Sequence, residues 1–134
     1  MRSLVLFTFL LVTPFFSFAN EGWSPEEYFV RGTELLKPNS AEFDSGRGLQ
    51  YLLLSADKKY EHAPFGLCIA LSTEKTILDL EHAYSWCYVA SRIGSKYSKL
   101  ASTHLQKIGT AIENEGGEGA LSKAKSRGVK AFGQ

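Results

Sequence analysis

The sequence predicts an all-α fold, a stack of antiparallel helical hairpins closed by a short C-terminal helix. Three observations carry that reading. Apolar residues recur at spacings of three and four, and no alternation of period two survives beyond four or five residues. Proline, glycine and capping residues cut this pattern into segments of helical length. One stretch of the chain also matches another 35 residues further on, as a repeated structural unit would.

Residues 1–19 read as a secretory signal peptide. Arg2 supplies a short positive start, Leu4 to Phe16 is an almost unbroken apolar stretch of 13, and Ser17-Phe18-Ala19 puts small residues at −3 and −1 of a cut. A retained anchor would need about 20 apolar residues, and Pro14 interrupts this run. No Cys follows the cut, so a lipoprotein anchor is not indicated. The processed chain would begin at Asn20 and have 115 residues, which suits one domain with a single core and excludes a two-domain enzyme. It is expected to be periplasmic or secreted, with no stable membrane insertion once the signal is removed. Lys and Arg number 15 against 14 Asp and Glu; the signal holds only Arg2, so the remainder is formally neutral. A nucleic-acid binder needs a basic surplus to displace counterions from phosphates, so the balance argues against that class.

The helices follow in order. Ser24-Pro25-Glu26-Glu27 offers an N-cap, a proline at the first helical position and the returning carboxylate of a capping box. This first helix is expected to reach about Leu36 and stop before Lys37-Pro38, because the residue before a proline avoids the helical region. Asp44 caps a second helix to about Lys59. A third begins near Ala63-Pro64 and fades by Thr73, and Asp79 caps a fourth that ends at Ile93 with Gly94 at C′. A fifth covers at least 96–108. Gly116, Gly117 and Gly119 mark a hinge before a last helix over about 120–130. The chain thus divides into the signal at 1–19, helical repeats at 20–109, and a hinge with a capping helix at 110–134.

Shifted by 35 residues, Asp44 falls on Asp79, Gly48 on Ala83, Tyr51 on Trp86, Ser55 on Ala90 and Ala56 on Ser91. The Asp caps the helix, the small residues let a neighbouring helix come close, and the aromatic fills the gap beside them. At these residues the chain resembles the Sel-1-like repeat family, whose tetratricopeptide-like hairpins stack into a short α–α superhelix. Residues 79–94 are similar to that family's second helix, with Ala83, Trp86, Ala90, Ser91 and Gly94 at its usual positions. Ala63, Leu67, Cys68 and Leu71 stand where its first helix has Ala, Leu, Gly and Tyr. The resemblance covers about 28–108, clear in the second hairpin and weak in the first. Gly48 is the small residue before Tyr51, Lys59 takes the place of Gly94, and the loop before the fourth helix lacks the family's usual glycine. The resemblance implies about two repeats plus the capping helix, and a protein-binding role without catalysis.

Cys68 and Cys87 are the only cysteines, and an oxidising compartment would let them pair. With the hairpin placed by the family comparison, each lies midway along its helix, and their midpoint falls in the loop at 74–78. A disulfide is favoured over two buried thiols, although facing elements do not guarantee acceptable Cβ geometry.

Chemistry is sparse. His62, His82 and His104 each fall in a different expected helix, with neither a His-Glu-x-x-His motif nor zinc-ligand spacing, so no metal or cofactor is expected. No Gly-x-Ser-x-Gly elbow is present, and Gly116-Gly117-Glu118-Gly119 lacks the lysine and preceding strand of a phosphate loop. Lys123, Lys125, Arg127 and Lys130 give the last helix a basic face; Leu121, Ala124 and Phe132 read as a cover for the open end of the stack, in preference to a lipid-seeking surface. The expected function is binding of another protein, as a periplasmic adaptor or an immunity-type binder, by a monomer. Its binding face would come from the first helix of each hairpin, with Tyr28, Arg31, Phe65 and Ile69 meeting the partner. Tyr51, Trp86, Ala83, Ala90, Gly94 and the two cysteines would be structural. The alternative is a small periplasmic hydrolase, or an inhibitor of a cell-wall enzyme, with Glu81 and His82 as the candidates for chemistry.

Overall fold

Ser24 sits in extended backbone, its hydroxyl accepts from the Glu27 amide at 3.1 Å, and the Glu27 carboxylate accepts from the Ser24 amide at 2.6 Å. This capping box opens helix α1, Pro25–Leu35. The computed structural model describes residues 22–116 and 118–131, without the side chains of 118 and 128–131, so the signal-peptide reading of 1–19 lies outside the described residues. After α1 come α2 (Ser45–Asp57), α3 (Ala63–Thr73), a 3₁₀ turn (Lys75–Ile77), α4 (Leu80–Arg92), α5 (Ser98–Gly116) and α6 (Glu118–Ala131). No strand is present among the described residues. The described chain is therefore all-α.

The two aspartates cap as their spacing predicts. Asp44 accepts from the Arg47 amide at 3.0 Å and Asp79 from the His82 amide at 3.1 Å, with φ −151° at both. Each also donates its own amide back across a loop, Asp44 to the Leu35 carbonyl and Asp79 to the Leu71 carbonyl, both at 2.9 Å. At the far end of the first hairpin the buried Ser55 hydroxyl donates to the Pro25 carbonyl at 2.7 Å. α1 and α2 are thus tied at both ends and antiparallel.

α1 and α2 touch through backbone. A Cβ on Gly48 would lie 2.7 Å from Leu36 Cγ and 2.9 Å from the Gly32 carbonyl oxygen. In the second hairpin Cys68 and Cys87, both fully buried, are bonded with their Cα atoms 4.8 Å apart.

α4 packs against α3, α5 and α6, and α3 against α2, so the helices stack in chain order with α6 folded back on α4. Tyr28, Leu35 and Tyr51 form one core cluster with Trp23 against it. Leu52, Ala56, Ala63, Leu67 and Ala70 form a second. The third gathers Cys68, Leu71, Ala83, Tyr84 and Cys87 with Ile108, Ile112 and Ala124. Trp86 packs against the second and third, joining the hairpins. Ala90 is fully buried. Burial of the apolar stripes supplies most of the stabilisation, since helices this short are marginal alone.

The turn after α4 puts Gly94 at φ +72°, and the turn after α2 puts Lys59 at φ +65°. A left-handed conformation suits glycine and strains lysine. Lys59→Gly is expected to raise stability by about 0.5–1 kcal/mol once the greater freedom of the unfolded chain is subtracted. Gly94→Ala is expected to lower it; urea-unfolding midpoints check both.

The C-terminal part differs from its reading. The fifth helix starts at Ser98 and continues to Gly116, so the first residues of the expected hinge are helical, and α6 begins at Glu118. Ile108 and Ile112 carry the apolar stripe past Gly109 into the third core cluster, and that burial outweighs the glycine's poor helix propensity. Ala124 is fully buried and its carbonyl accepts from the buried Ser85 hydroxyl at 2.7 Å; Leu121 packs nearby. Gly117 and Phe132 lie outside the described residues.

Candidate functional site

α1 and α3 run side by side with a groove of about 490 Å³ between them. Phe29, Thr33 and Leu36 line it from α1; Phe65, Gly66, Ile69, Ala70 and Thr73 line it from α3. Leu52 of α2 lies beneath, and Pro38, Glu74 and Tyr97 complete the lining. The local sequence explains the shape. Phe65, Ile69 and Thr73 follow at i+4 spacing along one ridge of α3, and Gly66 and Ala70 form a low row beside it. The missing side chain at Gly66 admits the Phe29 ring, since a Cβ there would lie 2.8 Å from it.

Aromatic rings continue from the groove. Phe29 meets Tyr60 at 5.2 Å between centroids, Tyr60 meets His62 edge-on at 5.2 Å, and His62 meets Tyr97 at 5.0 Å. Tyr97 stacks on Phe65 at 4.9 Å with 13° between planes, and His104 approaches Phe65 edge-on at 6.0 Å. His62 Nδ1 is buried with no hydrogen-bond partner, and Nε2 lies 3.6 Å from a Glu61 carboxylate oxygen. Burial, helped by the charges of Glu26 and Glu61, pushes the Tyr60 phenol above its ordinary pKa and keeps it protonated. The groove itself presents carbon surface with the hydroxyl-bearing side chains of Thr33, Thr73 and Tyr97 and one carboxylate, Glu74, held by the Thr76 amide and hydroxyl at 3.2 and 2.9 Å.

The four residues expected on a binding face separate. Phe65 and Ile69 line the groove together. Tyr28 is 2% exposed, packed with Trp23 and Tyr51, so it offers no surface to a partner. Its position follows from the helix period: it shares the inward stripe of α1 with Gly32 and Leu35. Arg31 lies on the outer side of α1, paired with Glu42 at 2.8 Å and Glu34 at 3.3 Å. Phe29, one residue from Tyr28, takes the place in the groove. Leu36, Leu52, Gly66 and Ala70 were missed; the small pair at i, i+4 beside two large apolar residues was the available signal.

The candidates for hydrolytic chemistry are arranged as helix-end structure. His82 Nδ1 lies 2.7 Å from Asp79 Oδ2, within the first turn of α4, on an exposed ring. Burial opposes ionisation of Asp79, but hydrogen bonds from the His82 amide and ring, with Arg127 nearby, outweigh it and hold the carboxyl below its usual pKa. Glu81 pairs with Arg127 of α6, tying the last helix to the second hairpin. Among the described residues no group of three or more His, Cys, Asp or Glu side chains is placed to hold a metal ion, and no helix is long and apolar enough to cross a membrane. No protein-family model, curated protein or solved structure matches the chain.

Proposed function

We propose that this chain is an exported helical-repeat protein, similar to the Sel-1-like family, that binds an apolar segment of another protein between α1 and α3 and performs no chemistry itself. The observation that carries this reading is the groove, an apolar channel walled by the first helix of each hairpin. Its volume accommodates a few side chains, so the partner contributes a short segment or one face of a helix. An adaptor in envelope assembly and an immunity-type binder both use such a surface.

Repeated local geometry supports the family reading. The two aspartate caps share their backbone angles, and the left-handed turns at Lys59 and Gly94 follow at the same 35-residue spacing. Cys68 and Cys87 meet where Gly32 and Leu52 meet in the first hairpin, where a Cβ on Gly32 would lie 3.1 Å from Leu52 Cγ.

Crosslinking the tagged protein in its native envelope tests the function. One dominant captured protein is expected, lost from the Phe65→Asp/Ile69→Asp variant at unchanged helix content. Equal capture by that variant, or no captured protein under several growth conditions, would contradict the proposal.

A further inference from the structure

Formal neutrality hides how charge is distributed along the chain. Over 22–44 there are five acids, Glu26, Glu27, Glu34, Glu42 and Asp44, against two bases, Arg31 and Lys37. Over 45–95 acids and bases balance at five each. Over 96–131 seven bases stand against three acids. The net charge therefore runs from −3 through zero to +4 along the chain.

The fold turns that order into a spatial one, because α1 packs on α2 and α3 and α6 packs on α4 and α5. The acidic segment forms one end of the stack and the basic segment the other. Trp23, just before α1, and Glu26, Glu27, Val30, Arg31 and Glu34 of α1 line a cleft of about 660 Å³ in which Val30 is 47% exposed. On α6, Lys123 and Lys125 are exposed, and Arg127 is exposed but already paired with Glu81 of α4. Solubility requires the ends of a helical stack to be polar. It does not require them to carry opposite signs, and opposite signs make each end complementary to the other end of a second copy.

We propose that copies of this chain associate head to tail, the basic α6 end of one against the acidic α1 end of the next. Such a contact uses different surfaces on the two copies, so it extends beyond a dimer, into open chains or, where the rotation closes, rings. Complementary charge sets the order of the ends and speeds encounter, while Val30 and Trp23 offer apolar area at the centre of the contact. Exposed ion pairs are individually weak and screened by salt, so association should depend steeply on concentration and ionic strength. The inference is independent of what the α1/α3 groove binds.

Sedimentation velocity on the purified protein tests it at ionic strengths of about 10 mM and about 500 mM. At low salt the weight-average mass should climb past that of a dimer with concentration, and at high salt it should return to that of the monomer. Glu26→Lys/Glu34→Lys and Lys123→Glu/Lys125→Glu should each remain monomeric at low salt with unchanged circular dichroism. Their equimolar mixture should regain association, because the reversed ends match each other. A wild-type protein that stays monomeric at low salt would overturn the proposal even if polylysine bound its α1 face, since that face would then serve a different cationic partner. Association of either variant alone at the wild-type level, or failure of the mixture to associate, would overturn it as well.

Discussion

Replacing Cys68 and Cys87 together by alanine is expected to lower the unfolding free energy by about 2–5 kcal/mol. The bond joins residues 19 apart, and closing a loop of that length in the unfolded chain contributes about 3 kcal/mol in the chain-entropy account. Both sulfurs are also fully buried beside Leu71, Ala83 and Ile108, so alanine leaves unfilled space as well. The effect falls on the α3/α4 hairpin, against which α5 and α6 are built. The variant should retain much of its helix content in water and unfold at a lower urea concentration. Because neither sulfur reaches solvent, a reductant should act on the wild type only as fast as the hairpin opens. A loss below about 1 kcal/mol would mean that the bond adds little to a hairpin already fixed by packing.

Leu52→Ala is expected to cost about 2–5 kcal/mol. Leu52 is 0% exposed, packs with Ala56, Ala63, Leu67 and Ala70, and lies beneath the groove. Alanine there would hollow the layer between the hairpins and lower the base under Phe29 and Gly66. Neighbouring Leu53 is 41% exposed and supplies the control. Leu53→Ala should change stability by no more than about 0.5 kcal/mol. Urea unfolding of both variants decides the point, and equal losses would mean that α2 does not turn Leu52 inward and Leu53 outward.

Most of the helix plan was legible because its signals are local. Ser24 and Glu27, Asp44, Pro64, Asp79 and Gly94 each act on their own turn, and each acts as its chemistry requires. The long α5 was harder to read, because glycines near its end outweigh in sequence what packing against Tyr84 and Leu121 recovers in three dimensions. The facing cysteines were legible once the hairpin was placed, as two mid-helix positions about one short loop. The groove was only half legible. Phe65 and Ile69 stand out as large apolar residues on one ridge, but the choice between Tyr28 and Phe29 depends on which way α1 is rotated. That rotation is set by Gly32 meeting Gly48, a contact between residues 16 apart that no local pattern specifies.

A photocrosslinking residue placed at Ile69 and, separately, at Gln50 on the exposed side of α2 tests the central claim most directly. The expected result is a crosslink from Ile69 to one partner protein, mapped by mass spectrometry to a single short apolar segment, and none to that partner from Gln50. Crosslinks to the same partner from Gln50 at equal yield, or from Gln50 alone, would contradict binding in the α1/α3 groove.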